Sequence, residues 1–351
     1  MKKFLALLLA AVMVFSMAAC GSKTEEEIPA SEGDLTPAEL PASNGDLTPD
    51  DEGYVRGDFK IAALKGPTAM GLAKMIDDAA KGEPQDNDYT FQLAGSADEV
   101  TPLLIKGELD MACVPANLAA VLNVKTEGQL QVLAINTLGV IYIVDTDGSI
   151  KSVDDLKGKT VVASGQGSTP EYGLRYILSE NGIDPDQDLD IQWKSEHAEC
   201  VAALKTGAAT VAMLPQPFVT VAGNQIEGLN IALDLTEEWE ALENGSSMIT
   251  GVIVARKEVA TEYRDAVNAF LKEYESSVAF VNGNVDEAAA IIGGLDIVAE
   301  AVAKKAIPYC NIVCITRDEM ENRLSGYYDA LFAQNPASVG GSVPGEEFYY
   351  K

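Results

Sequence analysis

The chain has 351 residues, 47% of them hydrophobic, and a formal net charge of -29. That length accommodates two ordinary domains around a substantial core. So acidic a surface repels nucleic acid and anionic lipid, which argues against a nucleic-acid partner, and it says nothing positive about a ligand.

Lys2 and Lys3 precede an apolar run from Phe4 to Phe15, too short to span a bilayer as a mature helix. Small residues then lead into Ser16-Met17-Ala18-Ala19-Cys20-Gly21-Ser22, which resembles a bacterial lipoprotein cleavage site, with Met17 where Leu is commoner. The expected signal peptide is 1–19, with Cys20 as the lipidated first residue of the mature chain and a lipid anchor in place of a spanning helix. An ordinary secretory signal that happens to hold a cysteine is the competing reading. Residues 20–57 are rich in Glu, Asp, Pro, Ser and Gly, and repeat Gly-Asp-Leu-Thr-Pro at 33–37 and 45–49. Such a segment buries too little apolar surface to offset its ordering entropy and reads as a flexible acidic tether. Its acids match no EF-hand spacing.

From Asp58 the pattern alternates strand and helix. Phe59 to Leu64 reads as a strand ended by Gly66-Pro67; Met70, Leu72, Ala73 and Ile76 then recur at helical spacing. Tyr89 to Ala94 is a second strand, Ala97 to Ile105 a helix, Leu109 to Val114 a third strand. This order predicts a parallel sheet with helices on both faces. About a hundred residues on, the pattern returns. Val100 to Val121 matches Cys200 to Val221, with Gly107, Ala112 and Pro115 opposite Gly207, Ala212 and Pro215. Lys60 to Gly66 resembles Lys159 to Gly165, and Gly71-Leu72 resembles Gly173-Leu174 with two residues inserted. Matches in the same order point to two related α/β lobes, against the bland alternative that all βα units look alike.

Met248 to Ala255 is a further strand, followed by amphipathic stretches at Glu262–Val281, Val285–Ile292 and Arg317–Phe332. A return of this tail to the first lobe makes two crossings, near 145–152 and 234–247, and two crossings between similar lobes make a hinge and a cleft. The expected division is lobe 1 at 58–145 plus 248–351 and lobe 2 at 146–247. Cys113, Cys200, Cys310 and Cys314 form no disulfide framework and lack the neighbours a zinc site wants, so they read as buried free thiols.

These features resemble a substrate-binding lipoprotein of an ABC importer. Lys159-Thr-Val-Val-Ala-Ser-Gly-Gln-Gly-Ser-Thr169, preceded by Ser152-Val-Asp-Asp-Leu-Lys-Gly158, and Gly107-Glu-Leu-Asp-Met-Ala112 are similar to the family that binds nitrate, sulfonates, taurine and thiamine-pyrimidine precursors. The resemblance covers roughly 58–335. It implies an α/β chain with a two-lobed type II periplasmic-binding-protein-like fold, each lobe a βα sheet sandwich, joined by a two-crossover hinge. It also implies an inter-lobe cleft for a small organic solute or anion, a permease and its ATPase as partners, and a membrane-anchored, extracytoplasmic monomer. Ligand contacts are expected from loops at the carboxyl ends of strands: 65–70, 95–96, 115–117, 137–139, 164–172, 195–197, 215–217 and 248–251.

Within those loops the candidate ligand residues are Gly66, Pro67, Thr68 and Met70; Ser96; Asn117; Gly165, Gly167, Ser168, Thr169 and Tyr172; His197; Gln216; and Thr250. Ser168, Thr169 and the free N–H groups of a helix start suit a carboxylate, sulfonate or phosphate, and the glycines let backbone approach it. Each has a structural alternative. Glu171 completes a capping box with Ser168, Met70 on a helix suits a core, and Asn117 and Gln216 are equally at home as solvated amides. Tyr172 is a stacking candidate and His197 a lone histidine at a cleft edge. Lys65 and Lys194 are the nearest cations, and a strongly bound dianion would recruit Arg, which tilts the ligand toward a neutral, zwitterionic or heteroaromatic solute with a monoanion still open.

No catalytic residue, metal site or cofactor is expected. Gly165-Gln166-Gly167 lacks the third glycine of a dinucleotide turn, Pro170 standing in its place, and no Lys-Ser or Lys-Thr follows to make a phosphate loop. There is no G-x-S-x-G elbow. The alternatives are a ligand sensor that signals to a receptor, and an enzyme of the thiamine-pyrimidine-synthase-like branch, which depends on a cysteine-rich segment and several histidines that this chain lacks.

Overall fold

The computed structural model describes residues 48–51 and 53–351. The chain separates into two units, Met1–Asn44 and Gly45–Lys351. The expected signal peptide, Cys20 and most of the tether lie outside the described residues. The end of the tether is seated on the fold: the Tyr54 hydroxyl and the Gly57 N–H both donate to Asn87 Oδ1, at 2.9 and 2.8 Å.

Eleven strands among the described residues form two sheets. They are β1 (Asp58–Leu64), β2 (Asp88–Ala94), β3 (Met111–Pro115), β4 (Leu130–Leu138), β5 (Ile141–Asp145), β6 (Thr160–Ser164), β7 (Asp190–Lys194), β8 (Val211–Pro215), β9 (Asn230–Asp234), β10 (Ile249–Arg256) and β11 (Ile312–Ile315). The first sheet runs β11-β4-β10-β3-β1-β2 and the second β7-β6-β8-β5-β9. β3 is apolar on both faces and buried over Met111–Val114, as a strand covered by helices on both sides must be.

The two sheets share one topology. β1 pairs in parallel with β2 and β3, and β6 in parallel with β7 and β8. Each sheet then takes in an antiparallel strand that follows the other lobe's strands in sequence: β10, after β9, lies between β3 and β4, and β5, after β4, lies between β8 and β9. This exchange corrects the expected boundary at 145. Ile141–Asp145 is a strand of the second sheet, so the first crossing falls at Gly139–Val140. The second crossing runs from Ala241 to Met248, overlapping the expected 234–247 and ending one residue beyond it. Asp145, fully buried at the end of β5, accepts from Gly148 N, Ile150 N and Asn230 Nδ2. It thereby turns the chain back into the second lobe.

The strand registers also refine the internal repeat. Ile61 faces Phe91 and Met111, while Val161 faces Ile191 and Val211. The equivalence is therefore a shift of 100 residues throughout, which sets Lys60 opposite Thr160 and not Lys159. The distinction matters because a one-residue slip in a strand exchanges its faces; Ile61 and Val161 are both fully buried. The helix ends repeat at the same shift. Gly107 and Gly207 sit at φ 75° and 71°, and Glu108 N and Ala208 N reach back to Leu103 O and Ala203 O, each at 2.9 Å. Left-handed glycines of this kind close helices cheaply because they carry no Cβ.

Helix expectations hold with one interruption. The 97–105 helix is found at Ala97–Ile105, and the long tail helices at Arg264–Gly283, Val285–Gly294 and Arg317–Gln334. The apolar run after Gly66 is broken into Pro67–Met70 and Ala73–Lys81. The break is at Gly71, where a Cβ would lie 2.3 Å from the Tyr274 hydroxyl. One apolar cluster joins the lobes, with Val114 and Val252 of the first sheet, Ile143 and Met213 of the second, and Trp239 and Tyr327 between. Trp239 is fully buried, 4.4 Å from Tyr176 and 5.6 Å from Tyr327 between ring centroids, and donates to Ser246 Oγ at 3.0 Å. It anchors the second crossing. Among the described residues no helix is long and apolar enough to cross a membrane. The four cysteines there are free, three buried and Cys314 half-buried.

Candidate ligand-binding cleft

The strand polarities bring the loops expected to bind ligand to one edge of each sheet. On the first lobe, β1 ends at Leu64 and the chain turns at Gly66, whose φ of 128° requires glycine. Thr68 follows at the start of a single helical turn, with its hydroxyl donating to Leu64 O at 2.9 Å. Asn136, near the end of β4, donates to Thr68 O at 3.2 Å and accepts from the Thr137 hydroxyl. At Gly251, on β10, a Cβ would meet Asn136 Oδ1 at 2.5 Å and the Thr68 methyl at 2.6 Å. Three chain segments thus converge on a glycine because no side chain fits between them. Next to it, the Thr250 hydroxyl is buried and finds no partner among the described residues.

On the second lobe, Gly165 and Gly167 adopt φ 84° and 76°, and a Cβ on Gly165 would strike Pro170 at 2.8 Å. Ser168 is the N-cap of the Thr169–Glu180 helix, but neither bond of the expected reciprocal capping box is formed. The Ser168 hydroxyl donates back to Gly165 O at 2.9 Å, while Glu171 accepts from Gly167 N at 2.7 Å. The turn is therefore tied down by its own side chains. His197 begins the His197–Thr206 helix, bonds through Nδ1 to the Ser164 hydroxyl, and packs 4.9 Å from the Phe218 ring. Burial pushes its pKa down to about 4, so the imidazole is neutral at physiological pH.

The lobes meet at Thr169 and Asn117. The Thr169 hydroxyl, 1% exposed, donates to Asn117 Oδ1 at 3.3 Å, and Asn117 Nδ2 donates to Ser338 O at the same distance. Tyr327 adds a hydroxyl 3.3 Å from Thr169 Oγ1. Sequence reasoning missed Tyr327 and Asn136. Tyr327 lies 158 residues from its partner, in a helix that carries no local mark of the cleft.

The remaining candidates are placed as follows. Met70 is fully buried in the first lobe's core and does not reach the edge. Ser96 is exposed and forms a capping box with Glu99. Gln216 is buried, with its oxygen accepting from Thr220 N and Oγ1 within its own turn. Pro67 is half-buried at the helix start. Tyr172 is half-buried on a separate concavity between the Thr169–Glu180 and Arg317–Gln334 helices. Of the expected cations, Lys65 is paired with Asp296 at 2.7 Å. Among the described residues no group of three or more His, Cys, Asp or Glu side chains is placed to hold a metal.

Two lobes of one strand order, opposed across their carboxyl edges and joined by two crossings, define a two-lobed solute-binding protein of the type II periplasmic-binding class. The chain belongs to the phosphonate periplasmic substrate-binding proteins of ABC transporters, whose family model matches residues 79–303, well over half its length. Members are the extracytoplasmic components that capture solute for an ABC permease. No curated protein sequence matches the chain. Solved structures match in fold. An ABC transporter protein of Parabacteroides distasonis is 21% identical, with 84% of this chain and 98% of that one covered at a TM-score of 0.71. The aliphatic sulphonate-binding protein SsuA of Escherichia coli is 17% identical, covering 84% and 92% at 0.67. The alkanesulfonate-binding SsuA of Xanthomonas axonopodis pv. citri, bound to MOPS, is 14% identical, covering 84% and 97% at 0.62.

Proposed function

We propose that this chain is a monomeric lipoprotein, anchored through Cys20, that captures a small solute between its lobes by closure. The observation that carries the cleft assignment is the Thr169–Asn117 contact, which joins one candidate loop from each lobe. Thr68, Asn117, Ser164, Thr169 and Gln216 are all buried and uncharged, and Thr250 offers an unpartnered hydroxyl. These groups favour a neutral, zwitterionic or heteroaromatic solute, or a monoanion held by hydroxyls and helix-start N–H groups. Closure is a population shift, since a solute that touches both lobes binds the closed state better. We further propose that the chain binds and does not catalyse. A Ser–His contact exists at Ser164 and His197, but an imidazole with a pKa near 4 is a poor general base at neutral pH.

The test is a binding screen of phosphonates, alkanesulfonates, nitrate, thiamine pyrimidines and riboflavin against the soluble domain, repeated with Asn117→Ala and Thr250→Val. Both variants should remain folded and bind the identified solute at least tenfold more weakly. Unchanged affinity in both would remove the solute from this cleft, and turnover of any compound would restore the enzyme. In cells, Cys20→Ala should move the protein from the membrane fraction to the soluble fraction.

A further inference from the structure

Beside the cleft, the lobes border another, partly open concavity, of about 470 Å³, within the usual range of small-ligand sites. Its walls are one face of the Thr169–Glu180 helix, the loop at Asp186, and the end of the Arg317–Gln334 helix.

The packing leaves one atom of this wall unpaired, and two further features offer contacts to a ligand. The Gln334 Oε1 atom is buried and meets no donor among the described residues, whereas folded proteins pair nearly all such atoms. The Arg175 guanidinium is held between Glu171 at 2.9 Å and Asp186 at 3.0 Å, which presents a fixed array of planar donors and acceptors. The half-buried Tyr172 ring contributes an apolar face.

We propose that this concavity binds a neutral cyclic polyol, a sugar-like ring. Ring hydroxyls both donate and accept, so one donates to Gln334 Oε1 while others serve Arg175 and the spare lone pairs of Glu171 and Asp186. The C–H face of such a ring packs on tyrosine. Two carboxylates against one guanidinium disfavour an anionic occupant, so the site is chemically distinct from any anion seat in the cleft. The occupant touches elements of both lobes. It also abuts Glu171, whose second oxygen holds Gly167 N at 2.7 Å, so its binding favours whichever lobe arrangement completes the site.

The experiment is ligand-observed saturation-transfer NMR on the complete mature chain with D-glucose, D-galactose and myo-inositol as probes, sorbitol as the open-chain control and sulfate as the anion control. At least one ring polyol should bind saturably, with sorbitol and sulfate at least tenfold weaker. Gln334→Leu should weaken that ring about tenfold, the effect of losing one well-placed hydrogen bond. Tyr172→Ala should do the same. The proposal is overturned if no ring polyol binds saturably, or if Gln334→Leu binds it as wild type does. Because Gln334→Leu conserves bulk at a helix end, it keeps the test decisive should Tyr172→Ala fail to fold.

Discussion

Gly251 and His197 show how single residues hold the two cleft edges. A methyl group at 251 would lie within 2.6 Å of both Asn136 Oδ1 and the Thr68 methyl, contacts that real Cβ atoms do not make. Gly251→Ala should therefore destabilise the domain by about 1–3 kcal/mol, the usual cost of overpacking a closed site, measured by urea unfolding. His197 acts through its charge state. Its folded pKa of about 4 lies below the ordinary 6.5, so the unfolded chain binds the proton more readily. The neutral imidazole's contribution is whole above pH 6.5 and is lost as pH falls from 6.5 toward 4. By pH 5 the loss amounts to roughly 2 kcal/mol. Unfolding free energies of wild type and His197→Gln, compared between pH 7 and pH 5, should converge by that amount. Parallel profiles would mean that burial does not hold the imidazole neutral.

At the scale of elements, the repeat makes a paired prediction. Glu99 accepts from Gly95 N and Ser96 N, and Glu199 from Ser195 N and Glu196 N. The two caps are equivalent at the 100-residue shift, so Glu99→Ala and Glu199→Ala should each cost about 1 kcal/mol, with similar losses on thermal unfolding. Most elements were legible because their signals are local. Alternating or continuous apolar runs marked the strands, and 3.6-residue spacing with Gly and Pro punctuation marked the helices. The failures were also local in appearance and tertiary in cause. Ile141–Asp145 looks like any buried strand, and only pairing with β8 and β9 assigns it to the second lobe. At the break, Tyr274, about two hundred residues away in sequence, leaves room only for a glycine at 71.

For the whole molecule, solute capture predicts a measurable gain in stability. The identified solute at about 100 times its Kd should raise the unfolding free energy by roughly 2.7 kcal/mol. Small-angle scattering should show a smaller radius of gyration if closure accompanies binding. The sequence by itself determined that there are two related α/β lobes, because a repeated order of strands, helix-closing glycines and prolines survives as a pattern along the chain. It also brought the cleft loops together in outline, because parallel strands place their carboxyl ends on one edge. The tertiary structure decided which side chains on that edge are available. The Thr68 and Ser168 hydroxyls are taken by neighbouring carbonyls, Met70 is sealed in the core, and Tyr172 belongs to a different concavity. Thr169, Asn117 and Tyr327 meet only when the lobes pack. The physical reason is that a side chain's hydrogen-bonding capacity belongs to the residue, while the partner that consumes it comes from wherever the fold brings the chain back.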